Sequence, residues 1–180
     1  MTSPLQPLVD EAHEAFGAAA CSIAVLDEDE GELVYRAASG TGAEAILGVR
    51  LPLTRGIAGW VAMSGQPLAV SDLATDNRFA HDVAESTAYV PRTLLATPIM
   101  GPEGVLGVLS ILDRDDARAE ADRDLHLAAS FAARAAATLS DPTRQRPPEL
   151  TALADLMRRS DDSERARIRD AVRELLAEFG

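Results

Sequence analysis

Residues 93–113 read Thr-Leu-Leu-Ala-Thr-Pro-Ile-Met-Gly-Pro-Glu-Gly-Val-Leu-Gly-Val-Leu-Ser-Ile-Leu-Asp. Two apolar runs, 93–100 and 105–113, flank Gly101-Pro102-Glu103-Gly104. Short apolar runs bounded by Gly and Pro are strands, and the turn chemistry joins these two as a hairpin. Pro98 has no N–H to give to a ladder, so it requires a sheet edge or a bulge at its position. Upstream, residues 20–27 and 32–38 form a second pair of apolar runs. Between them the acidic tip Asp27-Glu28-Asp29-Glu30-Gly31 ends in the Gly that a tight turn needs.

Working outward, residues 4–17 carry Leu5, Leu8, Val9, Ala12 and Phe16 at helical spacing, with Asp10, Glu11 and Glu14 off the stripe. Gly40-Thr41-Gly42 ends a strand, residues 43–47 form a short helix, and 49–53 a small strand. Residues 56–65 form a mostly apolar helix stopped by Gly65. Gly56 allows a tight entry, and Gly59 a close approach to the sheet. A brief strand follows at 67–70. Residues 71–92 are polar and irregular, with a helical turn at 80–88. Residues 119–139 form a long Ala-rich helix whose apolar line runs Leu125, Ala128, Ala132, Ala135 and Leu139. Strands outnumber crossover helices, which predicts an α+β fold with an antiparallel sheet and helices on both faces.

Three stretches resemble the GAF sensor-domain family. They are Gly-Ile-Ala-Gly-Trp-Val-Ala-Met-Ser-Gly-Gln-Pro-Leu-Ala-Val-Ser-Asp at 56–72, Asp-Asn-Arg-Phe at 76–79, and the hairpin at 93–113. The similarity spans roughly residues 4–140 and none covers 147–180. It implies that the first and last helices of the domain pack together on one face of the sheet. That pairing, 4–17 with 119–139, implies a homodimer through a helical bundle. The resemblance also implies a small-molecule pocket on the opposite face, roofed by 71–92. Trp60, Asp76, Arg78, Phe79, His81, Tyr89 and Arg92 are the ligand-binding candidates on that mapping.

Composition narrows the chemistry. The chain is 47% apolar and 26% charged, ordinary for a globular protein of 180 residues. No apolar run reaches the ~18 residues of a membrane span, and Met1-Thr2-Ser3-Pro4 opens no secretory signal. All 17 basic residues are arginine and the formal net charge is −12. Such a field repels phosphate backbones and anionic lipid, so neither nucleic acid nor membrane is an expected partner. The absence of lysine excludes Schiff-base and P-loop chemistry. One cysteine excludes a disulfide framework and a multi-thiolate zinc site, and a cytoplasmic protein is expected.

Each candidate for chemistry has a plain structural alternative. Cys21 sits in a strand where alternation allows either face, as a small buried residue or as a redox switch. GAF-type methionine sulfoxide reductases need several cysteines, and bilin-attaching members need one in the roof, so both are excluded. His13, His81 and His126 show no paired metal spacing. His13 and His126 are expected on solvated helix edges, whereas His81 lies in the roof, where haem-binding members offer an axial ligand. Asp76-Asn77-Arg78-Phe79, with Asp82 and Glu85, loosely resembles the Asn-Lys, Phe, Asp-Glu motif of cyclic-nucleotide-binding members, with Arg78 where the lysine stands. Arg78 and Arg92 are the guanidinium donors of the roof for any anion. Trp60 fits either the core or a pocket wall, and Tyr89 the roof lining. Nothing groups as an active site, so a non-enzymatic module is expected. No cofactor is specified.

The composition shifts at residues 141–148, a Pro- and Arg-rich linker. Two helical patterns follow, 149–159 and 162–179, with Asp161 and Glu164 spaced as a capping box. On the last pattern Ile168, Val172, Leu175 and Phe179 form one stripe beside Arg165, Arg169 and Arg173. Sorted cations flanking an apolar seam suit an acidic surface, so Arg165, Ile168, Arg169, Val172, Leu175 and Phe179 are the partner-binding candidates. A solvated amphipathic tail is the alternative. The functional expectation is a sensory or regulatory module that binds a small molecule and signals through its terminal helices. A ligand-free dimerisation adaptor with a collapsed pocket, or a redox or haem sensor, stands beside it.

Overall fold

Alternating side chains build the sheet, and its pairing settles which face each residue meets. The computed structural model describes residues 3–86, 88–115, 121–141, 156, 159–161 and 163–169. In chain order the elements are α1 (Gln6–Phe16), β1 (Ala20–Asp27), β2 (Glu32–Gly40), α2 (Ala43–Ile46), β3 (Arg50–Pro52) and α3 (Gly56–Ser64). They continue with β4 (Leu68–Val70), a 3-10 turn (Leu73–Thr75), α4 (His81–Ser86), β5 (Leu94–Met100), β6 (Val105–Leu112) and α5 (Ala121–Leu139). The six strands form one sheet in the order β3-β2-β1-β6-β5-β4, every neighbouring pair antiparallel. This is the α+β architecture expected from the strand count.

Two apolar cores lie on opposite faces of that sheet. On one, Leu8, Val9, Ala12 and Phe16 of α1 and Ala128, Phe131, Ala132 and Ala135 of α5 pack on Cys21, Ile23, Leu109 and Ile111. On the other, Ile57, Ala58 and Val61 of α3 and Leu73 pack on Ala24, Leu33, Ala96 and Val108. The pairing of β1 with β2 shifts between Ile23 and Ala24: Ile23 opposes Ala37 and Ala24 opposes Tyr35, which leaves Arg36 as an exposed extra residue. A bulge of this kind reverses which parity faces which layer. Leu33 and Tyr35 therefore belong with the α3 core, whereas Ala37 belongs with the α1 and α5 core.

Pro98 is accommodated in the way its chemistry requires. β4 pairs with β5 only from Leu94 to Ala96, so Pro98 lies beyond it, paired with Val108 of β6 but not with β4, and a register shift follows between Ile99 and Met100. Gly56 enters α3 at φ +71°. A Cβ on Gly59 would stand 2.4 Å from the Leu53 carbonyl oxygen, so only glycine permits that approach of α3 to the β3 loop.

One expectation is corrected on α5. Ala128, Ala132 and Ala135 are buried as expected, but Leu125 is 37% exposed, and Asp124 and Phe131 take buried positions beside them. Asp124 takes the inner position because Arg114, just past β6, donates to its carboxylate. His13 also departs from a solvated edge: it is half-buried, with Nδ1 3.4 Å from the Ser39 hydroxyl.

The chain divides into two units, Met1–Ser140 and Asp141–Gly180. In the second, residues 163–169 are helical. Asp161 Oδ1 accepts from the Ser163 and Glu164 N–H groups, each at 2.9 Å, and the Asp161 N–H donates to Glu164 Oε2 at 3.3 Å. That is the capping box read from the spacing, and these bonds hold the Asp161 carboxyl below its ordinary range. Arg165 and Ile168 are half-buried and Arg169 is exposed. Val172, Leu175 and Phe179 lie outside the described residues.

Candidate functional site

The cavity on the α3 face is built from small floor residues and apolar walls. Ser22 of β1 and Ser110 of β6 oppose one another in register at its floor. Ala38, brought to this face by the Arg36 bulge, lies beside them, with Tyr35 and Leu51 at one side. Ile57 and Ala58 from the start of α3 supply a wall, and Phe79, Val83, Ala84 and Tyr89 the roof. The cavity volume is about 100 Å³. That is less than the ~150 Å³ of an engineered apolar cavity that admits benzene. Among the described residues no acidic, basic or histidine side chain lines it.

The roof is tied down at both ends of α4. At its start, Arg55 donates to Asp82 Oδ1 at 2.7 Å, and this pairing holds the Asp82 carboxyl below its ordinary range. Beyond its end, the Tyr89 hydroxyl donates to Asp113 Oδ2. The other carboxylate oxygen of Asp113 accepts from the backbone N–H of Arg92 at 2.9 Å and of Thr93 at 2.8 Å. One carboxylate at the end of β6 therefore gathers the whole exit of the roof. Burial, and then the Asp113 carboxylate, push the Tyr89 phenol above its ordinary pKa. Asp113 itself sits at φ +46°, in the left-handed region that an aspartate tolerates better than most side chains.

The sequence-based candidates separate into three places. Phe79 and Tyr89 line the cavity. Trp60, Asp76 and Arg78 form a cluster outside it. Asp76 accepts from Arg78 Nε at 2.9 Å and from its terminal nitrogen at 2.6 Å, and the guanidinium lies 5.3 Å above the Trp60 ring. The Arg78 bonds hold the Asp76 carboxyl at about 2. His81 is exposed and stands edge-on to Phe79 with centroids 4.8 Å apart, and Arg92 is exposed with its backbone on Asp113. Neither lines the cavity. Cys21 follows the strand alternation onto the α1 and α5 face, buried, with its thiol pushed up to about 12 by that burial.

Sequence reading overlooked Ser22, Ser110, Tyr35 and Asp113. A serine within an otherwise apolar buried strand was the available signal for the first two. Both are 7% exposed and border the cavity. Burial pushes the Tyr35 phenol up to about 12. No sequence signal marked Asp113 as a clasp, because its partners are set by how the roof returns to the sheet.

A helical face pairing the first and last helices, a six-stranded antiparallel sheet and a roofed cavity opposite them make one arrangement, and the sequence profile of the GAF domain matches residues 2–139. The chain belongs to the GAF family. GAF domains are small-molecule-binding regulatory domains. Among solved structures, the GAF domain of an Acinetobacter phosphoenolpyruvate-protein phosphotransferase superposes with a TM-score of 0.66 at 21% identity, covering 80% of this chain and 84% of that one. The second GAF domain of DevS from Mycobacterium smegmatis gives 0.61 at 20% identity, covering 79% and 94%. At these identities the likeness concerns the fold. A probable 3',5'-cyclic phosphodiesterase, pde-5 of Caenorhabditis elegans, is 35% identical over 68 residues, 38% of this GAF chain and 9% of that protein. The GAF chain thus spans under a tenth of the length of that curated relative. No described helix is long and apolar enough to cross a membrane.

Proposed function

We propose that this protein is a non-enzymatic, cytoplasmic ligand-responsive module. A small molecule enters beneath the 71–92 roof, and the state of the sheet is read out through helices on its other face. The observation that carries the proposal is the cavity itself, lying between sheet and roof, with that roof held by the two polar ties at Asp82 and Asp113. The same β1 and β6 strands floor the cavity and back α1 and α5, so a change in the floor reaches the helical face through one layer of backbone. The cavity residues hold no acid–base or nucleophile pair, and Cys21, which borders the cavity, is buried in the core with α1 and α5; this supports binding without turnover. Output goes to a second copy through α1 and α5, and to a protein partner through the helix carrying Arg165, Ile168 and Arg169.

The curated relative's cyclic phosphodiesterase activity offers cyclic nucleotide as a ligand. The small, uncharged cavity argues for another class, since a phosphate needs cationic or N–H donors around it. A second reading, a dimerisation adaptor with a collapsed pocket, is favoured by that same volume of about 100 Å³. A melting-temperature screen against small metabolites separates the two. A sensor gains RT ln(1 + [L]/Kd) of stability from its ligand, so saturating ligand at a hundred times Kd adds about 2.7 kcal/mol. A flat profile across a broad neutral and charged set favours the adaptor.

A further inference from the structure

We propose that the cavity takes a compact uncharged molecule and that the Ser22 and Ser110 hydroxyls hold its polar group. The inference rests on the reading of the cavity as a ligand site and adds the chemical class. Two observations carry it. First, Ser22 and Ser110 are both 7% exposed, face each other across β1 and β6, and border the cavity. Two hydroxyls opposite one another at the floor of a cavity can donate to and accept from one polar group. Second, most of the remaining lining is apolar, including Leu51, Ile57, Phe79 and Val83, and its other polar side chains, Ser39, Thr41, Tyr35 and Tyr89, are neutral hydroxyls with no carboxylate, guanidinium or imidazole among them. A charged guest would enter without a counter-charge, which a buried site disfavours strongly. The net charge of −12 further opposes an anion.

Size completes the description. With about 100 Å³, the space suits a guest of about four or five non-hydrogen atoms, smaller than the benzene-sized occupant of a ~150 Å³ cavity. A hydroxyl both donates and accepts, so an alcohol or a primary amide satisfies the serine pair. The aliphatic part of the guest then lies against Ile57 and Val83.

The test uses the full chain and three probes of one shape: 1-butanol, butyrate and butylammonium, each titrated by two-dimensional amide NMR with the Ser22, Ala38, Gly42 and Ser110 resonances as reporters. Butanol is expected to shift these saturably, with butyrate and butylammonium at least tenfold weaker. In the Ser22→Ala/Ser110→Ala double variant the butanol affinity is expected to fall at least threefold, while its melting temperature equals or exceeds that of the natural chain. Saturable shifts from butyrate or butylammonium at equal or better affinity would overturn the uncharged class and leave the cavity a ligand site. Undiminished butanol binding in a folded double variant would overturn the role of the serines. Cavity resonances indifferent to all three probes would overturn the ligand-site reading itself.

Discussion

At the scale of single residues, Asp113 holds the most partners for its size. Its carboxylate takes the Tyr89 hydroxyl and the Arg92 and Thr93 amides, and its backbone is left-handed. Replacing it by alanine leaves those donors unpaired and puts a less tolerant side chain at that φ. Asp113→Ala should cost about 2–4 kcal/mol in urea unfolding. Asp113→Asn, which keeps one carbonyl acceptor and tolerates the left-handed region, should cost less than half of that. An alanine variant within ~0.5 kcal/mol of the natural chain, the range of an unremarkable surface change, would remove the clasp from the account. Asp76 makes the second prediction. Its folded pKa, about 2, lies below the ~3.9 of an unfolded aspartate. The pairing with Arg78 therefore contributes stability above pH ~4 that is lost as the pH falls toward 2. Because Arg78 lies over the only tryptophan, the emission of Trp60 should titrate in that window and the Asp76→Asn variant should lose the step. An unchanged titration in the variant would assign it to other carboxylates. Both residues sit outside the cavity wall, and of the seven residues singled out as ligand contacts only Phe79 and Tyr89 line it. The sequence marks where polar residues cluster, but not whether they turn toward a cavity or clasp one another on its outside.

Among the elements, the hairpins, the α3 stop at Gly65 and the amphipathic α1 were all legible, because turn chemistry and periodicity are local properties. The Arg36 bulge was not. It shows only in the pairing of β2 with β1, and it decides that Tyr35 and Ala38 face the cavity while Ala37 faces α1. The inner face of α5 was misread at Leu125 for a related reason: an aspartate takes the buried position once Arg114 from another element neutralises it. The roof element yields a prediction of its own. The Arg55–Asp82 pair is exposed and contributes little, and the Tyr89 bond to a carboxylate ~1.5–3 kcal/mol. Removing both in Arg55→Ala/Tyr89→Phe should speed hydrogen exchange at the Val83 and Ala84 amides, both bonded to the Ala80 carbonyl, by at least tenfold, ~1.4 kcal/mol of opening free energy. The Leu109 and Ile111 amides at the sheet centre should keep their rates. Equal acceleration at both places would mean global destabilisation rather than a tethered roof.

For the whole molecule, every buried apolar residue of the two cores falls between Leu5 and Ala136. Residues 1–140 should therefore fold alone, with a cooperative urea transition and unchanged amide fingerprints at the cavity. Loss of partner capture or a change of oligomeric state on that truncation would give the 141–180 unit its role in output. Unchanged oligomeric state, stability and partner binding would reduce that unit to a solvated tail. A truncated chain without a cooperative transition would contradict the placement of the core. The fold was legible from the order of strands and turns because that order admits few antiparallel arrangements. The floor of the cavity was not, because the meaning of its two serines depends on their being opposite each other in the sheet. The central claim is that this sheet and roof enclose a ligand. Native mass spectrometry of the freshly purified full chain, compared with its denatured mass, tests that most directly. The account predicts a small extra mass, uncharged in chemistry and about four or five non-hydrogen atoms in size, that leaves on denaturation. A spectrum of bare chain alone, unchanged after incubation with a neutral metabolite extract, would contradict it.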